Sequence, residues 1–209
     1  MHYFPTFAAV FDNDASMSAD LIIEIVGAVI GLAYLILEYK ANVWLWPVGI
    51  VMSVFYVIIY VTGGFYADAA LQVYYIGANA YGLFVWTAAK RGKSDERPTD
   101  ELEISNTPKR LILPLSLAAA GLWLLIFLIL YFFTDSPVPV GDAFTTALSI
   151  VAMWMLSRKY LEQWLLWIVV DVTCVAFYLW KGLYPTAILY IVYVAVATLG
   201  YFRWKKEMA

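Results

Sequence analysis

Trp46–Trp86 reads WPVGIVMSVFYVIIYVTGGFYADAALQVYYIGANAYGLFVW, and 118 residues later Trp164–Trp204 reads WLLWIVVDVTCVAFYLWKGLYPTAILYIVYVAVATLGYFRW. Laid over one another without a gap, the two segments share 14 of 41 positions. The identities include the pairs Trp46/Trp164, Tyr60/Tyr178, Gly64/Gly182, Tyr66/Tyr184, Tyr75/Tyr193, Gly82/Gly200, Phe84/Phe202 and Trp86/Trp204, with six aliphatic or alanine matches besides. Both copies are almost wholly apolar. The chain is therefore built on a duplicated membrane unit, an arrangement that points towards transport.

Composition agrees. Of the 209 residues, 64% are hydrophobic and 14% charged, whereas a soluble domain has about a quarter of its residues charged. The single cysteine, Cys174, excludes an intramolecular disulfide, and His2 is the only histidine. Without a Cys/His cluster at ligand spacing, neither a protein-ligated transition metal nor any other cofactor is expected.

A span needs about 20 mostly apolar residues. Seven stretches qualify, at roughly Leu21–Tyr39, Val43–Thr62, Asp68–Ala88, Leu111–Phe133, Ala143–Ser157, Leu161–Trp180 and Tyr184–Phe202. The fifth is short and carries Thr145, Thr146 and Ser149, hydroxyls that bond back to their helix or face a polar interior. The predicted fold is an all-α integral membrane protein of seven transmembrane helices in a 3+1+3 plan. Residues 1–20 form an extracytoplasmic lead-in without the cationic start of a signal peptide. The first three-helix repeat covers 21–88, a charged cytoplasmic linker 89–110, a connector helix 111–133, the second repeat 134–204 and a cytoplasmic tail 205–209.

Charge placement sets the orientation. With the N-terminus outside, Lys40, Lys90, Arg91, Lys93, Arg97, Lys109, Arg110, Arg158, Lys159, Arg203, Lys205 and Lys206 all fall on the cytoplasmic side, leaving Lys181 alone outside. The second repeat then begins after an even number of crossings. Both copies point the same way, related by a pseudo-twofold axis along the membrane normal, with a cavity expected between them. Trp44, Trp86 and Trp204, near span ends, read as interfacial belt residues. Gly82 and Gly200, present in both copies, read as close packing contacts.

An ionisable side chain in mid-span is expensive and therefore a functional candidate. Asp171, halfway along the sixth span, is the clearest. Glu24 and Asp68 lie close to span ends, and Glu38 stands beside Lys40 at an edge. A purely structural Asp171 would need a hydrogen-bonding hydroxyl, such as Thr173 or a tyrosine of another helix. At helical spacing Trp164, Trp167, Asp171, Cys174 and Tyr178 share one stripe, and Gln72, Tyr75 and Asn79 share another on the third span. Aromatic stripes alone are usually packing, but an acid or an amide within the stripe turns it away from lipid.

The two copies differ where these polar groups stand: Ser53 matches Asp171, Gly49 matches Trp167, Gln72 matches Tyr190 and Asn79 matches Ala197. A carboxylate among aromatic faces suits a planar cation, by charge pairing and by a cation–π contact worth about 2 kcal/mol when desolvated. The amides suit hydroxyls or a carboxamide. The expected ligand is a small, polar, cationic aromatic molecule.

The segments Arg158–Asp171 (RKYLEQWLLWIVVD), Lys181–Tyr184 (KGLY), Leu45–Ile50 (LWPVGI) and Tyr66–Tyr75 (YADAALQVYY), followed by Asn79-Ala80-Tyr81-Gly82, resemble the PnuC family of bacterial nicotinamide riboside transporters. The resemblance covers spans one to three and five to seven. It implies the 3+1+3 fold, the inner membrane, a homotrimer, and facilitated diffusion of an unphosphorylated riboside that a cytoplasmic riboside kinase then traps. It places substrate contacts at Gln72, Tyr75 and Asn79 and at the WxxW-containing motif with Trp164, Trp167 and Asp171. Tyr178 on the same stripe, and Tyr190 and Tyr193 as counterparts of Gln72 and Tyr75, complete the candidate set. Family relatives often carry Asn in place of Asp171, and other members move other vitamins, notably cationic thiamine. A proton-coupled carrier is the remaining alternative in mechanism.

Other classes fit poorly. No P-loop is present, so ATP-driven pumping by this chain is not expected. A retinal protein needs a mid-membrane lysine, which Tyr184–Phe202 lacks. An intramembrane enzyme would need HExxH or a serine–histidine pair, and neither occurs. The expected partners are a small-molecule substrate and the lipid bilayer, not nucleic acid.

Overall fold

The computed structural model describes residues 29–62, 66–91, 102–134 and 138–208. Seven helices run through them: α1 (Val29–Tyr39), α2 (Leu45–Thr62), α3 (Tyr66–Arg91), α4 (Lys109–Phe133), α5 (Pro139–Ser157), α6 (Gln163–Trp180) and α7 (Tyr184–Glu207). Among the described residues the only β pairing is an isolated bridge between Ser105 and Tyr160. Four helices, α4 to α7, have spans long and apolar enough to cross a bilayer on their own, and α1 and α2 are shorter apolar helices. The chain is an all-α membrane protein.

The start of the first expected span, with Glu24, lies outside the described residues. The fifth span begins earlier than its hydropathy suggests. Pro139 initiates α5 at a position where its missing N–H costs nothing. Asp142, just ahead of the fifth apolar stretch, sits in the first turn of α5 and is buried. A carboxylate there faces the positive end of the helix dipole. Ser149 donates to the Thr145 carbonyl (2.8 Å) and Thr145 to the Gly141 carbonyl (3.1 Å), so these hydroxyls bond back to their own helix.

The chain divides into two compact units, 2–88 and 89–209. In the second, α5 packs against both α4 and α6, and α6 packs against α7. α5 is the most enclosed helix, whereas α4 has no buried residue. Apolar surface all round α4 suits a helix that faces lipid over most of its circumference.

Each unit closes on the same device. Trp46 of α2 and Trp86 of α3 meet edge to face, with ring centroids 5.3 Å apart and planes at 90°. Trp164 of α6 and Trp204 of α7 do the same at 5.5 Å and 86°. Each helix-starting indole also lies over a glycine, Trp46 on Gly82 and Trp164 on Gly200. A Cβ at Gly200 would stand 2.7 Å from the Trp164 ring, so only glycine admits the tryptophan. This corrects the interfacial reading of Trp86 and Trp204. Both are buried core residues, whereas Trp44 is 65% exposed. Edge-to-face pairing adds about 0.5–1.5 kcal/mol to the burial itself.

The duplication also reaches further back than its identities. α1 and α5 end in the same turn, each with a non-glycine residue in left-handed conformation: Ala41 (φ 49) and Lys159 (φ 52). These residues are themselves 118 apart. In both turns two N–H groups return to the helix: Ala41 to Glu38 and Asn42 to Leu37 (both 2.9 Å), Lys159 to Leu156 (2.9 Å) and Tyr160 to Met155 (3.0 Å). This is the Schellman closure, which normally takes glycine at the left-handed position. Gly182 (φ 72) closes α6 in the same way, with Leu183 bonding to Tyr178 at 2.8 Å.

The end of the charged linker is tied down rather than freely solvated. Ser105 exchanges backbone hydrogen bonds with Lys159 (3.1 Å) and Leu161 (2.9 Å). Thr107 donates from both its backbone N and its Oγ1 to Glu162 Oε2, each at 2.7 Å. Residues 102–108 thereby cover the α5–α6 turn.

Candidate substrate-binding site

In the second unit the site candidates arise from α6 and α7. Helical spacing brings Trp164, Trp167, Asp171, Cys174 and Tyr178 to one side of α6, and of these only Trp167 is not fully buried. Val170, Cys174 and Tyr178 join Ala187 of α7 in one apolar cluster, with Leu148 of α5, Trp167, Leu183 and Tyr190 packed against it. Tyr178 and Tyr190 touch with ring centroids 5.0 Å apart, and Tyr190 and Tyr193 at 5.3 Å. The structure thus brings Tyr178, Tyr190 and Tyr193 into one run of touching rings, with Trp167 packed on the same cluster, on the side of α6 that also carries the buried Asp171.

Asp171 is 6% exposed. Of the hydroxyls that would make it merely structural, that of Thr173 is otherwise engaged: its Oγ1 donates to the Val169 carbonyl at 2.7 Å. Among the described residues no ion pair reaches Asp171. A lone carboxylate in mid-span is costly and gains most from a cation brought to it. The Trp167 indole N–H, also buried, has no hydrogen-bond partner among the described residues.

Trp164 differs from its neighbours on the stripe. It is completely enclosed by the repeat device described above, as its counterpart Trp46 is. Its first role is to hold α6 to α7, and through that to fix where Trp167 stands three residues on.

In the first unit Gln72, Tyr75 and Asn79 share a face of α3. Gln72 and Tyr75 are half-buried and Asn79 is buried. Asn79 Nδ2 donates to the Tyr75 carbonyl at 2.7 Å, and among the described residues Oδ1 has no partner. The amide lies directly against Gly49, where any side chain would collide with it. The corresponding positions in the second unit are Trp167 and Ala197. One copy therefore sets glycine against an amide, and the other has an indole with alanine. Bulk has moved from α3 in the first copy to α6 in the second. Asp68 lies in α3, but its side chain falls outside the described set.

Gln163 was not singled out by the stripe that starts at Trp164. It is wholly buried, and among the described residues neither amide atom meets a partner. The available signal lay one residue before the gapless repeat, where Leu45 stands opposite Gln163.

A buried carboxylate, aromatic rings and buried amide and indole groups inside an apolar helical membrane protein suit the binding of a small polar molecule within the membrane. The sequence pattern of the family described as nicotinamide mononucleotide transporter matches residues 21–206. The chain belongs to that family. It is 28% identical over 205 residues to the nicotinamide riboside transporter PnuC of Escherichia coli (strain K12), covering 87% of this chain and 84% of that one. It is 24% identical over 185 residues to the riboflavin/roseoflavin transporter RibM of Streptomyces davaonensis, covering 87% and 83%. A crystal structure of the vitamin B3 transporter PnuC shares the fold, with a TM-score of 0.65, 23% identity, and coverage of 87% of this chain and 80% of that one.

Proposed function

We propose that this protein carries nicotinamide riboside into the cell by facilitated diffusion across the bacterial inner membrane, with its N-terminus outside. The observation that carries the reading is the buried Asp171 carboxylate on a stripe with Trp167, in a helix that carries no basic side chain. Nicotinamide riboside is a pyridinium cation with hydroxyls and a carboxamide. Its charge meets Asp171 and its ring the indole and phenol faces of α6 and α7, while the amides of Gln72 and Asn79 in the first unit have the chemistry that hydroxyls and a carboxamide call for.

The phosphorylated mononucleotide fits less well, because its phosphate would bring anionic charge to a site whose fixed charge is already negative. Riboflavin, the cargo of one relative, has no cation to offer Asp171. Uptake of the unphosphorylated riboside then needs a cytoplasmic kinase to retain it. A homotrimer is the assembly we expect.

Uptake into proteoliposomes tests this. Nicotinamide riboside should equilibrate, with thiamine, riboflavin and nicotinamide mononucleotide competing at least tenfold more weakly. Preference for thiamine or riboflavin, or exclusion of the riboside, would overturn the substrate assignment.

A further inference from the structure

Gln163 opens α6 fully buried, and among the described residues neither its Oε1 nor its Nε2 has a hydrogen-bond partner. Buried amides are ordinarily satisfied, because leaving them unpaired forfeits their hydration without return. The fold itself does not call for an amide here. At the repeat-related position Leu45 is equally buried, 0% exposed like Gln163, and starts α2 as Gln163 starts α6. An apolar residue therefore satisfies the packing of this position in the other copy.

Register connects Gln163 to the site. Gln163, Trp167, Asp171, Cys174 and Tyr178 are spaced four, four, three and four residues apart, which keeps them on one face of the helix. Along the axis Gln163 lies about 6 Å from Trp167 and about 12 Å from Asp171. Trp167, whose indole N–H has no hydrogen-bond partner among the described residues, lies between the two in the helix register. The same face thus carries a carboxylate, then an indole N–H, then an amide, in order towards the start of α6.

We propose that Gln163 is a second polar station on the substrate path, taking the hydroxyls or the carboxamide of nicotinamide riboside after it leaves Asp171 and Trp167. The inference rests on the substrate assignment made above. A neutral amide suits this task, since it both donates and accepts and holds a cation less firmly than a carboxylate does. Gln163 then governs the rate of passage and the discrimination of polar groups, while resting affinity stays with Asp171.

The test compares the parent protein with Gln163→Leu and Gln163→Asn, using nicotinamide riboside for equilibrium binding in detergent and for uptake in proteoliposomes. Gln163→Leu should keep a monodisperse, equally or more heat-stable protein and a Kd within about threefold of the parent, because the repeat already uses leucine here. Its uptake rate should fall at least tenfold, with Gln163→Asn in between. Parental uptake by Gln163→Leu overturns the station. Loss of binding in step with uptake overturns it too, placing Gln163 in the Asp171 site itself. Failure of Gln163→Leu to fold also overturns it, because the amide would then serve the fold. A parent that does not move nicotinamide riboside fails the substrate assignment instead, and that arm is read without any variant.

Discussion

At the scale of single residues, charge and bulk divide the site from its frame. Asp171→Asn keeps shape and removes only charge, so binding of nicotinamide riboside should weaken by at least tenfold, the loss of about 1.4 kcal/mol or more. Calorimetry checks this, with size-exclusion chromatography showing an unchanged particle. Trp167→Ala should likewise abolish uptake while the protein stays folded, since Trp167 is only half-buried. Gly200→Ala should behave oppositely. Its new Cβ meets the Trp164 ring, so it should cost about 1–3 kcal/mol of stability and lower the thermal midpoint without altering substrate preference. Asp171 was legible in sequence because a carboxylate in an apolar run has few innocent explanations. Trp86 and Trp204 were not, because a tryptophan near a span end reads alike whether it faces headgroups or another indole.

At the scale of elements, backbone conformation kept the duplication where side chains let it go. Ala41 and Lys159 share a left-handed backbone but no chemistry, so comparison of residue identities ends before them. Such a conformation costs a non-glycine residue about 1–2 kcal/mol. Ala41→Gly should therefore raise the thermal midpoint, by up to about 1 kcal/mol in stability. Lys159→Gly offers no such clean comparison, because Lys159 is buried and has interactions of its own. Nor did composition reveal the fate of the linker. Ser105 and Thr107 are ordinary polar residues, and only their pairing with the α5–α6 turn makes them structural. Glu162→Ala removes the acceptor of both Thr107 bonds, each charge-assisted and worth about 1.5–3 kcal/mol. Hydrogen–deuterium exchange over residues 102–108 should accelerate in that variant.

At the scale of the whole molecule, hydropathy and the 118-residue shift were enough to read a helical membrane protein with a repeat, because lipid leaves the backbone few alternatives. Helix ends were less legible, since proline at the start of α5 and the Asp142 turn extend a helix past its apolar stretch. For transport, internal nicotinamide riboside should rise only to the external level, and an imposed proton gradient should leave that level unchanged. Accumulation driven by the gradient would instead assign Asp171 a proton.

The paired indoles have a last consequence, for the order in which the protein is made. Trp46 meets Trp86, and Trp164 meets Trp204, between helices that follow one another directly in the chain. Contacts so close in sequence form early and need no distant partner. As the ribosome delivers the chain N-terminus first, the first hasp has its complete set of residues once Trp86 has been inserted, before α4 exists. Each half then enters the bilayer as a self-fastening hairpin, and a nascent chain halted between the two copies should already protect its first tryptophan pair from quencher.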